Sequence, residues 1–263
     1  MWKVTRHGKA VKLNRPVLIE GLPGIGNVGK IVVDFIIEEL KAEKVCEFFS
    51  YTFPHAVFVN EENMVELPSI EMYCKRFNDK RNDLLLLAGD VQPVDEQSSY
   101  EFSEKVLDIA QEHQCSRIVT LGGIGLPAIP KVPRIYCTGN SKKLIGEFKR
   151  AGVNTSLYGV VGPIVGVSGL LLGLGKRRKL PAVGLLAETY HHPTYLGVKG
   201  AKELLKILDK SLHLRINIKE LEREIMRIEE EMIKKSKEFE QVTKQAALRR
   251  LKGKISDEME YIG

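Results

Sequence analysis

The strongest constraint on this chain is an alternation. Short runs rich in Val, Ile and Leu recur through the first 210 residues, with helical patterns between them. Runs at 16–20, 44–50, 84–89, 117–122, 134–139, 155–160 and 181–188 are continuously apolar, as suits strands covered on both faces. The intervening patterns predict helices at 27–41, 98–113, 140–151, 164–174 and 197–210. Strand following helix in this way predicts an α/β fold, a mainly parallel sheet with helices on both faces. One segment breaks the alternation: in "PHAVFVNEENMVELPSIEMYCKR" (54–76) two β-rich pieces flank the turn-like "NEEN", which predicts a hairpin inserted at the sheet edge.

After residue 210 the pattern changes. Leu214, Ile218, Leu221, Ile225, Ile228 and Met232 follow at alternating spacings of four and three, and the stripe resumes at Phe239 and Val242. A seam this narrow expects a partner helix, because a helix lying on its own domain carries a wider apolar stripe. The expectation is therefore a 1–210 α/β domain, a 211–243 heptad helix that acts as an oligomerising stalk, and a flexible 244–263 tail. Between Leu212 and Val242 seven Lys or Arg balance eight Glu, so the stalk is not a basic arm for nucleic acid.

Composition excludes several classes. The net charge of +6 is spread thinly over 263 residues, which implies no nucleic-acid partner. Cys46, Cys74, Cys115 and Cys137 stand far apart in apolar surroundings and form no CxxC pair, so buried free thiols are expected rather than a zinc site. "MWKVTRHGKA" lacks the apolar core of a secretory signal, which points to a cytoplasmic protein. The charge-free run 154–175 is long enough to span a bilayer, but Pro163 and six glycines interrupt it. A strand, a glycine turn and a buried helix are expected there, with no membrane partner.

"GLPGIGNVGK" (21–30) raises the question of a ligand. Gly24, Gly26 and Gly29 spell G-x-G-x-x-G between a strand and a helix, yet Ser50 and Tyr51 end the next strand where a dinucleotide site needs an acid. Gly24 to Lys30 also spells the start of a P-loop, but Ile31 stands where a hydroxyl must hold magnesium. Two readings stay open. In one the glycines serve a tight turn and close helix packing; in the other Gly24, Gly26, Asn27 and Gly29 hold an anion or small ligand at the helix N-terminus. The second would suit a ligase or hydrolase acting on a phosphorylated compound, with Glu188, His191 and His192 as acid–base or metal-binding groups. No third metal ligand is marked beside them, and Ser168 lacks the context of a nucleophile elbow, so an exposed loop is the expectation for "ETYHHPTYLG".

Five motifs, in order, resemble the archaeal members of the proteasome assembly chaperone family: "LIEGLPGIGNVGKIVVDFIIEEL", "LLLLAGDVQP", "IVTLGGIGLP", "GVVGPIVGVSGLLLGLG" and "PAVGLLAETYHHPTYLGVKGA". The resemblance covers roughly 12–210. It implies a three-layer fold similar to nucleoside phosphorylases but without their catalytic residues, and a binding protein that needs no cofactor. Relatives with a helical extension form homo-oligomers, here with a tetramer favoured, and dock C-terminal tails between α-subunits of the proteasome core particle through a hydrophobic-Tyr-X ending. This chain ends Met259-Glu260-Tyr261-Ile262-Gly263, with the tyrosine third from the end rather than second. By resemblance Tyr261 is the anchor, Ile262 an apolar contact and Gly263 the source of a carboxylate.

Overall fold

The computed structural model describes residues 2–8, 11–60, 62–157, 159, 162–218 and 223. The chain divides into two units, Met1–Ile218 and Lys219–Gly263. Leu221, Ile225, Ile228 and Met232 of the expected stalk, and Tyr261, Ile262 and Gly263 of the tail, lie outside the described residues.

Eight strands of the first unit form one mixed sheet. They are β1 (Lys3–Arg6), β2 (Val17–Glu20), β3 (Glu43–Phe49), β6 (Ile70–Lys75), β7 (Leu84–Gly89), β8 (Arg117–Leu126), β9 (Ile135–Gly139) and β10 (Ala182–Tyr190), in the spatial order β1-β3-β6-β7-β2-β8-β10-β9. The central four, β7, β2, β8 and β10, run parallel. Every pairing outside them is antiparallel, so the expected parallel sheet describes only the centre. The remaining strands, β4 (Phe58–Val59) and β5 (Val65–Glu66), pair only with each other.

Burial follows the apolar runs. All residues of β2 and β7 are buried, as befits strands with a helix layer on each face. Leu18, Leu85, Leu87 and Ile118 pack with Phe102, Val106 and Leu107 of α2 (Glu96–Glu112) and Leu171 of α4 (Val167–Arg177). The other face carries α1 (Val28–Leu40), which buries Val28, Val32, Val33 and Ile36, and α5 (Val198–Leu212). The short α3 (Lys142–Arg150) buries Leu144 and Phe148 beside β9. Local chemistry sets the starts: Asp95 accepts from Ser98 N–H at 2.8 Å and caps α2, and Ser141 caps α3. Trp2 anchors the N-terminal strand, donating its indole N–H to Ser98 O while its ring meets Phe53 and Phe102.

Three expectations need correction. Residues 155–157 form no strand; only Asn154 bridges to Tyr136, because an apolar, glycine-rich run has no period that separates strand from loop. The 54–76 segment is not one edge hairpin: β4 and β5 make a separate ribbon, and β6 enters the sheet between β3 and β7. Leu214 does not begin a heptad seam. The helix ends at Leu212, His213 turns left-handed at φ 54°, and Leu214 and Ile216 are buried in irregular backbone within the first unit. Among the described residues no helix is long and apolar enough to cross a membrane.

Candidate functional site

Register places the loops. The end of β3 lies beside the start of β6 (Phe48 opposite Ile70), which lies beside the end of β7 (Gly89), and the start of β9 lies beside the end of β10 (Ile135 opposite Ala187). The carboxyl ends of the four parallel strands, the β4–β5 ribbon and the starts of α1, α2 and α4 therefore share one end of the sheet. In open α/β sheets this is where ligands bind.

The glycine loop sits at its centre. Gly26 is held at φ 65° inside a 3-10 turn, Ile25–Asn27, and a Cβ on it would stand 2.7 Å from the Thr189 hydroxyl of β10. One on Gly29 would stand 2.6 Å from the Leu121 carbonyl of β8, so this glycine lets α1 lie directly on the sheet. Gly24 faces open space, and Asn27 is left-handed at φ 50° without a side-chain capping bond. Of the four loop residues, then, two are seated against protein atoms. The P-loop-like lysine also turns away: Lys30 Nζ reaches Gly89 O and Asp34, both at 3.0 Å, and Asp90 at 3.7 Å. Burial raises the Asp34 carboxyl above its usual range, with Lys30 pulling it back. That arrangement ties α1 to β7.

Two acids end buried strands here. Glu20, fully buried at the end of β2, accepts from Leu22 N–H at 3.0 Å through Oε1, while Oε2 has no hydrogen-bond partner among the described residues. Burial lifts its carboxyl to about 7, against the pull of Leu22, Ser168 and Leu121. The buried Thr189 Oγ1 is likewise without a partner. Glu188 is different, because Arg134 reaches it with its Nε at 2.8 Å, its backbone N–H at 3.0 Å and Nη2 at 2.7 Å, and Tyr136 adds its hydroxyl. Burial alone would raise the Glu188 carboxyl, but these contacts outweigh it and hold it below the usual range.

Glu188, His191 and His192 do not form one group. Glu188 is committed to Arg134; His191 packs over Gly125 with its backbone bonded to Leu126; His192 stacks on Tyr190 and bonds Thr194. Among the described residues no cluster of His, Cys, Asp or Glu could hold a metal ion. All four cysteines are buried and unbridged, and burial pushes the Cys115 and Cys137 thiols up to about 12.

What this end does offer is apolar surface. Ile25, Val94, Ile129, Val132 and Val165 stand exposed on the loops around the glycines. Sequence reading missed Glu20 and Arg134. An acid closing an apolar run such as "PVLIE" is a visible signal of a buried carboxyl, whereas Arg134 stands 54 residues before its partner and nothing local announces it.

The model of the PAC2 family matches residues 18–235. The crystal structure of Pyrococcus furiosus PbaB, an archaeal proteasome activator, superposes with a TM-score of 0.80 at 33% identity, covering 89% of this chain and 98% of that one. Pyrococcus furiosus PbaA, an archaeal homolog of proteasome-assembly chaperone, shares the fold with a TM-score of 0.74 at 22% identity over 99% of each chain. An uncharacterized protein of Methanocaldococcus jannaschii is 31% identical over 262 residues, 99% of this chain and 97% of the relative.

Proposed function

This chain belongs to the PAC2 family, and from that premise we propose that it is a homo-oligomeric, ATP-independent chaperone or activator of the proteasome core particle. It is a binding protein rather than an enzyme. The observation that carries this reading is the likeness to an archaeal proteasome activator, at 33% identity and over 98% of that activator's chain. The site geometry supports it, since the two features that suggested nucleotide chemistry are used structurally: Gly26 and Gly29 are packed against Thr189 and Leu121, and Lys30 is held by Asp34, Asp90 and the Gly89 carbonyl.

In this reading the partners are the α-subunits and other copies of the chain. Tyr261 anchors the tail at the core particle, with Ile262 and the Gly263 carboxylate beside it, and Ile218, Leu221, Ile225, Ile228 and Met232 join stalks in the oligomer. Several weak tails on one assembly gain by avidity when their spacing matches the ring. The test is co-sedimentation with an archaeal proteasome core particle, comparing the full chain with one truncated after Asp257. Binding that disappears on truncation is expected; absence of binding by both chains would overturn the reading.

A further inference from the structure

The exposed large apolar side chains of the first unit are not scattered. The thirteen such residues all lie at the carboxyl end of the sheet or on the first turns of α2, and none lies at the opposite end among the described residues. Scattered exposed apolar residues need no explanation, but a gathered set marks an interaction surface.

The densest part is the β4–β5 ribbon. Val57, Phe58, Val59, Met64, Val65 and Leu67 are each between 46% and 67% exposed. A two-stranded ribbon outside a larger sheet is marginal in water and needs packing from something else. These six side chains offer on the order of 600 Å² of apolar surface, against the roughly 800 Å² per partner of a standard protein interface. The segment 54–67 carries three glutamates and no lysine or arginine.

Across the same end of the sheet, beyond β8, the loop 127–134 ("PAIPKVPR") has the complementary character. It exposes Ile129 and Val132, carries Lys131 and Arg134, and contains no acid. Arg134, although paired with Glu188, keeps 68% of its side chain exposed. One chain thus presents an apolar, acidic protrusion at one side of the rim and an apolar, basic loop at the other.

We propose that the 57–67 ribbon of one copy of this chain docks on the 127–134 loop of the next, head to tail. The ribbon needs a permanent cover, and a second copy is present wherever the first is. A contact between two different patches closes into a ring when the rotation between copies permits, and charge complementarity sets its register. This interface belongs to the globular unit and is separate from both the stalk and the tail. Its failure would leave tail docking untouched.

The experiment uses two full-length chains, Val59→Cys and Val132→Cys, oxidised alone and as a mixture; the four native thiols are buried. The mixture should give covalent dimer in several-fold excess over either chain alone. Equal yields in all three samples would overturn the proposal, and so would dimer from Val59→Cys alone, which would place ribbon against ribbon. In parallel, sedimentation of the full chain carrying Val59→Asp and Val65→Asp should show a smaller assembly with an unchanged melting temperature, since the ribbon lies outside the main sheet. An unchanged mass, or an unchanged mass with lost core-particle binding, would assign the ribbon elsewhere and refute the self-contact.

Discussion

The two ends of the sheet differ most in what they expose, for each buries an acid and seats a glycine tightly: Asp83 and Gly139 at the amino end, Glu20, Glu188, Gly26 and Gly29 at the carboxyl end. At the carboxyl end, glycines bring loops into van der Waals contact, two acids are buried, and apolar side chains face outward. At the other end the surface is held by ion pairs: Arg6 grips Glu112 with two bonds of 2.6 Å, Arg81 joins Asp79 to the His213 carbonyl, and Arg178 pairs with Asp108 and Glu104. Asn217 N–H also meets Glu39 there, at the C-terminal end of α1. Tight backbone contact demands particular residues, whereas exposed ion pairs tolerate exchange. The lesson is that, among the described residues, exposed apolar surface is gathered at one end while the other end shows charged pairs to solvent.

Substitutions can break or sharpen that contrast. The largest effect is expected at Glu20. Its carboxyl sits at about 7 in the folded chain against an ordinary 4.5, so the folded state holds the proton more tightly than the unfolded one. The stability this confers is complete below about pH 4.5 and disappears as pH rises through about 7, a loss of up to about 3 kcal/mol. Glu20→Gln should match the parent chain at pH 4.5 and exceed it by that amount at pH 8, measured by thermal or denaturant unfolding at both.

Gly29→Ala comes next. A Cβ 2.6 Å from the Leu121 carbonyl forces α1 off the sheet, at about 1–3 kcal/mol. Gly24→Ala, with nothing within 4 Å of its Cβ, should stay within about 0.5 kcal/mol, and the pair measured by urea unfolding separates packed from free glycines. Thr189→Val, which removes a buried hydroxyl without a partner, should stabilise by about 1 kcal/mol in the same assay. The smallest effect belongs to the opposite end: Arg178→Ala should cost about 0.2–1 kcal/mol, and less at high salt, because its partners Glu104 and Asp108 are about half exposed.

The fold was legible where physics is local. Continuous apolar runs revealed β2, β7, β8 and β10, and helical periodicity revealed α1 to α5 of the first unit to within a few residues. β1 was not legible, since "KVTR" is mostly exposed and becomes a strand only by pairing with β3. Leu214 was misread because its four-residue spacing to Ile218 continues a heptad, while the left-handed His213 breaks the helix between α5 and that stripe. The glycine loop could not be decided from sequence: a protein carbonyl and a phosphate oxygen ask the same thing of Gly29, close approach without a side chain. Which one stands there is a tertiary fact. The apolar ribbon was visible as two β-rich pieces, but their lack of cover emerged only when β6 was seen to join the sheet without them.

The most direct test of the central claim is native mass spectrometry of an archaeal proteasome core particle mixed with the full chain, with the chain truncated after Asp257, and with the Val59→Asp, Val65→Asp chain. The account predicts that the full chain binds as an assembly, that the truncated chain stays assembled but does not bind, and that the ribbon variant binds more weakly as smaller units. Full binding by the truncated chain, or no complex with any of the three, would contradict it.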